Sequence, residues 1–310
     1  MSEISKPSKQ IVILSGKGGT GKTSLAASLM HLVSQSDNSG VFVDADVDAA
    51  NLALVTGADA IETHPFMGGQ SAEIDKAICN RCSHCYDVCR FNAIHKPTTE
   101  EESFTVQDIL CEGCAACLHA CPVSAIKMIS HQDGEWFHSS TPFGHLFHAE
   151  LFPGAENTGK LVTIVRQNAK LYAEDYNIPL MIIDGPPGIG CPVISASAGA
   201  DLALLVAEPG VSGIHDLLRI MQTINYFNIP FVISINKANL YPEGTQMIRE
   251  LGKSHDFRIV GEIPFDEVIP HAIVNAQPVS LFAPTSQAAL AITTIWKNIQ
   301  QILFEKGAFS

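Results

Sequence analysis

The feature that most constrains the fold is the run VILSGKGGTGKTSL at positions 12–25. Residues 10–15 form a short apolar segment of strand type, and after a glycine-rich turn Leu25, Leu29 and Leu32 recur at helical spacing. A strand that feeds such a turn and then a helix belongs to an α/β sheet, because the helix must pack back onto the strand that precedes it. Within the turn, Gly16, Lys17, Gly18, Gly19, Thr20, Gly21, Lys22 and Thr23 fit G-x-x-x-x-G-K-[ST]. The glycines let backbone N–H groups close around phosphate oxygens, and the helix start adds partial positive charge. Lys22 is then placed for β- and γ-phosphates, and Thr23 for Mg²⁺. Motif and context together favour this over an ordinary glycine-rich turn.

The same rhythm continues down the chain. VFVDAD (41–46), LMIID (180–184), LALLVAE (202–208), FVISIN (231–236) and RIVGEIP (258–264) read as buried strands. Helical stretches are expected at 161–175, 212–228, 244–254, 266–276 and 285–304. Apolar strands alternating with helices imply a mostly parallel sheet covered on both faces. Residues 62–135 break the pattern and repeat internally: ICNRCSHCYDVCRFNAI (78–94) returns 32 residues later as LCEGCAACLHACPVSAI (110–126). A self-similar pair inside an α/β chain reads as an inserted domain. The expected division is 1–61 with 136–310 for the nucleotide-binding part, and 62–135 for the insert. Residues 136–160, with Phe137, Phe143, Phe147 and Phe152, lead back to the sheet without an assigned element.

Eight of the nine cysteines lie in that repeat. Cys79, Cys82, Cys85 and Cys89 fit C-x₂-C-x₂-C-x₃-C, as do Cys111, Cys114, Cys117 and Cys121, the second run with Pro122 trailing. Arg90 stands where the first run would carry that proline. Zinc is the competing metal, since paired C-x₂-C units also build tetrahedral sites. No stretch approaches the roughly 18–20 apolar residues of a membrane span, and the polar start MSEISKPSKQ lacks a secretory h-region. A cytoplasmic location is expected, where dense cysteines are metal ligands and not disulfides. With 19 basic against 32 acidic residues the formal charge is −13, which disfavours nucleic acid and anionic membrane as partners. Cys191 reads as a small buried cysteine, the alternative being a ligand to a cluster shared between subunits, and His138, His145 and His148 show no full ligand set. The C-terminal amphipathic stretch with Ile292, Ile295, Trp296, Ile299 and Leu303 reads as a helix packed on the sheet.

Asp184, after the apolar run LMII, sits where a carboxylate would hold Mg²⁺ through water, and Asp46 ends the second strand with Asp44 and Asp48 nearby; either could instead cap a turn. The segment KGGTGKT resembles the deviant Walker A loop of the MinD/ParA/nitrogenase-iron-protein class of P-loop ATPases. That resemblance implies that Lys17 reaches across a dimer to the partner's nucleotide, the alternative being a solvated loop lysine. It also implies that Asp46 orients the attacking water, that Gly185 to Gly190 form a switch, and that Asn236 and Lys237, with Pro264 and Phe265, border the nucleobase, the alternative for Pro264 and Phe265 being a plain strand-to-helix turn. Asn239 replaces the aspartate of a guanine-specific motif, so ATP is favoured over GTP.

The cysteine runs resemble a bacterial two-cluster ferredoxin. In such folds the fourth cysteine of each run serves the other cluster. One [4Fe–4S] cluster is thus expected on Cys79, Cys82, Cys85 and Cys121, the second on Cys111, Cys114, Cys117 and Cys89. Together with PPGIGCPV and EPGVSGIHDL, the whole chain resembles the MinD-superfamily ATPases with an inserted ferredoxin domain. The resemblance implies an α/β P-loop NTPase with an inserted ferredoxin-like α+β domain. It implies ATP, Mg²⁺ and two [4Fe–4S] clusters as cofactors, and a homodimer or a heterodimer with a paralogous ATPase. It further implies a redox or metal-cofactor partner protein. The leading functions are nucleotide-coupled electron transfer, or iron–sulfur or metal-cofactor assembly as in the Mrp/Nbp35 ATPases; the acidic charge and the missing basic anchor count against a third, spatial positioning as in MinD or ParA.

Overall fold

The computed structural model describes residues 8–36, 39–99, 102–155 and 158–304; the first seven residues, part of the polar start read above, lie outside them. Strand β1 (Lys9–Ser15) runs through the phosphate loop into α1 (Lys22–Ser34), followed by β2 (Gly40–Asp44), α2 (Leu52–Thr56) and β3 (Asp59–Ile74). The cysteine region holds α3 (His84–Val88), β4 (Ile94–His95), β5 (Thr105–Val106) and α4 (Ala116–Ala120). Then come β6 (Ile126–Thr141), β7 (Gly144–Leu151), α5 (Thr158–Asp175), β8 (Leu180–Pro187), α6 (Cys191–Ser197) and β9 (Leu202–Ala207). The chain continues as α7 (Val211–Tyr226), β10 (Phe231–Asn236), α8 (Pro242–Ser254), β11 (Ile259–Ile263), α9 (Val268–Val274), α10 (Val279–Phe282) and α11 (Gln287–Phe304).

Nine strands form one sheet in the order β11-β10-β9-β1-β8-β2-β7-β6-β3, and every pairing from β11 through β7 is parallel. A parallel sheet needs apolar residues on both faces. β1 meets this: Ile11 and Ile13 join α1 and α11 in one core, and the intervening Val12 and Leu14 are equally inaccessible. Each such side chain contributes about 1.5–3 kcal/mol by leaving water. Ile292, Ile295, Trp296 and Ile299 of α11 are buried in that core. β1 lies between β8 and β9, so the loop after it opens at the carboxyl ends of the central strands, where open α/β sheets bind ligands.

Residues 136–151, left without an element in the sequence reading, are the end of β6 and all of β7, joined by Pro142 and Phe143. Thr141 fastens this turn: its hydroxyl donates to the Gly144 carbonyl (2.8 Å) and accepts from the Phe143 N–H (3.1 Å). The histidines there pair locally. His138 Nε2 lies 2.9 Å from His145 Nδ1, and Ser139 Oγ 2.9 Å from His148 Nε2.

The chain divides into two compact units: Met1–His64 with Trp136–Glu150 and Thr158–Ser310, and Pro65–Glu135 with Leu151–Asn157. The second unit differs from the expected 62–135 by its later start and by Leu151–Asn157, whose Phe152 N–H donates to the Asp133 carbonyl (2.8 Å). Its own core joins Ala72, Ile74, Ile94, Phe104 and Ile126 to buried Cys85 and Cys117.

Candidate functional site

In the first unit the loop is built by close approach. Gly21 is left-handed (φ +88°), and a Cβ there would fall 2.4 Å from Asn236 Nδ2; a Cβ at Gly16 would fall 2.3 Å from the Asp216 carbonyl oxygen. Gly19 is also left-handed (φ +75°), whereas Gly18 faces open space. Lys22 is buried, its ammonium donating to Ser15 Oγ (3.0 Å), and that hydroxyl donates to the Lys17 carbonyl (2.6 Å). Thr20 is buried with its hydroxyl unpaired in the chain.

Asp184 and Asp44 are register partners on β8 and β2, both about 1% exposed. They are held differently. Asp44 accepts the Asp46 N–H (3.1 Å) and the Leu52 N–H (2.9 Å), so it closes the 46–52 loop. Neither Asp184 oxygen has a hydrogen-bond partner of good geometry, although the Thr23 hydroxyl lies close enough to act on the carboxyl. Burial pushes the Asp184 carboxyl up, and the nearby Thr23 hydroxyl and Lys22 ammonium only partly offset this. Burial, and then the Asp184 charge, raise Asp44 as well. Asp46 is half-buried and raised by burial, with Lys22 opposing. A buried, unpartnered carboxylate beside Thr23 and Lys22 is a poor structural element and a suitable ligand for a hydrated cation. Thr23 and Asp184 therefore fit Mg²⁺.

Beside the loop lies a cavity of about 270 Å³ bordered by Gly21, Leu25, Pro264, Phe265 and Ile269, along with Asn236 and Lys237. Its size and mixed lining suit a flat, partly apolar ring. Asn236 borders it, but its carboxamide is engaged: Nδ2 donates to the Thr20 carbonyl (2.8 Å) and Oδ1 accepts the Lys237 N–H (2.9 Å). Asn236 thus ties β10 to the phosphate loop. Asn239 fixes Phe265 at the cavity's edge by accepting its N–H (2.6 Å). Lys17 is paired with Glu208 within its own chain (2.8 Å), a residue the sequence reading passed over.

In the second unit, Cys79, Cys82, Cys85 and Cys121 rim one cavity, and Cys89, Cys111, Cys114 and Cys117 rim another. The sequence repeat is also a backbone repeat. Arg81 and Gly113, Ser83 and Ala115, and Asn92 and Ser124, each pair 32 apart, are all left-handed. Gly113 must be glycine because a Cβ would meet the Gln70 carbonyl at 2.4 Å. Alternating handedness makes concave nests of N–H groups, which suit anionic iron–sulfur sites. The Ala125 N–H already points at Cys121 Sγ (3.3 Å) and the Ala72 N–H at Cys111 Sγ (3.5 Å). Burial pushes the Cys85 thiol up to about 11 and raises Cys117, so an apolar shell surrounds both. Among the described residues no three His, Cys, Asp or Glu side chains converge on a single-ion site. Four soft thiols around each of two separate cavities fit a cluster apiece. Cys191 is exposed at the start of α6, contrary to the buried reading, because its helix begins at the surface end of the 185–190 loop. Among the described residues no helix is long and apolar enough to cross a membrane.

The CobQ/CobB/MinD/ParA nucleotide binding domain matches residues 11–279 of the chain. An uncharacterised protein of Methanocaldococcus jannaschii is 35% identical over 294 residues, covering 95% of this chain and 97% of that protein. An iron-sulfur cluster carrier protein of Pyrococcus horikoshii is 23% identical over 312 residues, covering 96% of this chain and 88% of its own length. Among solved structures, the septum site-determining protein MinD complexed with Mg-ADP, from Pyrococcus horikoshii OT3, matches with a TM-score of 0.59. It covers 95% of this chain and 97% of that one at 20% identity, a likeness of fold.

Proposed function

The chain belongs to the CobQ/CobB/MinD/ParA nucleotide-binding family, and from that premise we propose that it is an ATPase whose nucleotide-driven dimer switch is coupled to electron transfer by an inserted ferredoxin domain. The observation that carries the ATPase reading is Asp184, a buried carboxylate with both oxygens unpartnered beside Thr23 and Lys22. In this reading Thr23 and Asp184 hold Mg²⁺, Lys22 holds the β- and γ-phosphates, and the N–H groups of Gly16 to Thr23 enclose phosphate oxygens. Asp46 orients the attacking water. Adenine takes the cavity beside Phe265 and Pro264, with Asn236 and Lys237 at its edge. Lys17 stabilises phosphate charge in a partner subunit, as an arginine finger does. The partner is a second copy or a paralogous ATPase. To drive such a switch from about 1:99 to 99:1, nucleotide must favour one state by roughly 5.5 kcal/mol.

Two [4Fe–4S] clusters, when bound, supply one-electron redox chemistry. Cys79, Cys82, Cys85 and Cys121 would hold one, and Cys111, Cys114, Cys117 and Cys89 the other. A second reading, assembly and delivery of iron–sulfur clusters, is favoured by the cluster carrier relative. Full four-cysteine sets weigh towards resident clusters. The test is anaerobic purification with iron and sulfide analysis, EPR of the reduced protein, and ATP turnover against protein concentration. Two [4Fe–4S] signals, and turnover per chain that rises with concentration and is lost in Lys17→Ala, support the proposal. Concentration-independent turnover overturns the dimer switch, and iron that passes readily to an apo-acceptor overturns the electron-transfer reading in favour of the carrier.

A further inference from the structure

One ion-pair cluster in the first unit contains a carboxylate, Glu208, that has no part in the roles above. Lys17 Nζ lies 2.8 Å from Glu208 Oε2, and Lys237 Nζ lies 2.5 Å from Glu208 Oε1. A single carboxylate, its side chain 14% exposed, therefore holds two ammonium groups whose side chains are about one-third exposed. The three residues follow β1, β9 and β10, which are neighbours in the sheet. Lys237 also donates to the Gly19 carbonyl (3.3 Å), and Lys17 to Ser212 Oγ (3.5 Å). The backbone here is closely packed: a Cβ at Gly213 would meet the Glu208 carbonyl at 2.3 Å, and one at Gly16 the Asp216 carbonyl at 2.3 Å. What can move is the Lys17 side chain.

We infer that Glu208 is a positioning residue that parks Lys17 within its own subunit, so that Lys17 must exchange this ion pair to reach a partner's nucleotide. The inference rests on the role in trans proposed for Lys17. The second lysine makes the exchange feasible. A carboxylate that is largely covered is disfavoured without a cation beside it, and a sole partner could not leave without stranding it. Lys237 stays behind and keeps Glu208 neutralised. Glu208 thus sets how readily two subunits engage, while Lys237 keeps the freed carboxylate from unbalancing the base pocket.

Partly exposed ion pairs alter an equilibrium by about two- to fivefold. The test is sedimentation of the anaerobic holoprotein with Mg-ATPγS over a concentration series, for wild type, Glu208→Gln, Lys17→Ala and the double variant. Glu208→Gln is expected to dimerise at about two- to fivefold lower concentration per ion pair, and the double variant to behave as Lys17→Ala does. A gain of association is a result that mere structural damage would not give. Glu208→Asp, which keeps the charge but shortens the reach, should fall between wild type and Glu208→Gln. If Lys17→Ala impairs dimerisation while Glu208→Gln matches or falls below wild type, parking is refuted and the role in trans survives. If Lys17→Ala itself changes neither dimerisation nor turnover, the role in trans fails and parking falls with it.

Discussion

Gly21→Ala places a methyl group where the structure has no room, and its effect can be worked out in parts. The Cβ would sit 2.4 Å from Asn236 Nδ2. That amide cannot swing aside freely, because it is fixed to the Thr20 carbonyl on one side and the Lys237 N–H on the other. Alanine at φ +88° costs about 1–2 kcal/mol in backbone strain. Losing the bond from Asn236 to Thr20 costs about 1 kcal/mol more, and displacing the amide adds a similar amount. The sum is roughly 3–4 kcal/mol, which for a chain of this length is a fall of roughly 5–6 °C in the unfolding temperature. Gly18→Ala is the internal control: nothing lies within 4 Å of its Cβ, so the change should stay within about 0.5 kcal/mol. Differential scanning calorimetry of the nucleotide-free protein checks both. Equal melting temperatures for Gly21→Ala and Gly18→Ala would refute the argument that Asn236 braces the loop.

The crossed ligand sets make opposite predictions for two double variants. Cys89→Ser with Cys111→Ser strikes one cavity and should leave one cluster's iron, whereas Cys89→Ser with Cys79→Ser strikes both and should leave neither intact; the reverse pattern by iron analysis would overturn the crossing. Burial holds His148 down to about 4, so the unfolded chain, near 6.5, binds protons first. Stability attributable to His148 is complete above that value and is lost as pH falls towards 4. Denaturant titrations should show this acid loss reduced in His148→Gln, the upward-shifted Asp44 and Asp184 being common to both proteins. Because the Asp184 carboxyl is raised, protons compete with Mg²⁺ at a higher pH than for an ordinary aspartate. Mg-ADP affinity by calorimetry should weaken as pH falls from about 7.5 to about 6, and should be weaker and less steeply pH-dependent in Asp184→Asn, where the ADP phosphate still titrates. Equal pH slopes would separate Asp184 from the metal.

The legible parts of the molecule were local ones. The phosphate loop is specified by neighbours in sequence, and the apolar strands declare themselves because both faces are buried. β6 did not, since IKMISHQDGEWFHSST mixes charge, glycine and aromatics along a strand of alternating partial exposure. The left-handed pair Arg81 and Gly113 was invisible because glycine marks that conformation at only one of the two positions, where a Cβ would meet Gln70. Asn236 was readable as a strand end, but its amide is used by a loop more than two hundred residues earlier. Glu208 gave no signal at all: its two lysines come from strands made adjacent only by crossover connections.

The most direct measurement is an anaerobic redox titration of the holoprotein followed by EPR, with and without Mg-ATP, in wild type and Lys17→Ala. Nucleotide-coupled electron transfer predicts that Mg-ATP shifts the potential or the reoxidation rate of the [4Fe–4S] signals, and that the shift vanishes with Lys17→Ala. Signals that are indifferent to Mg-ATP in both proteins would contradict it.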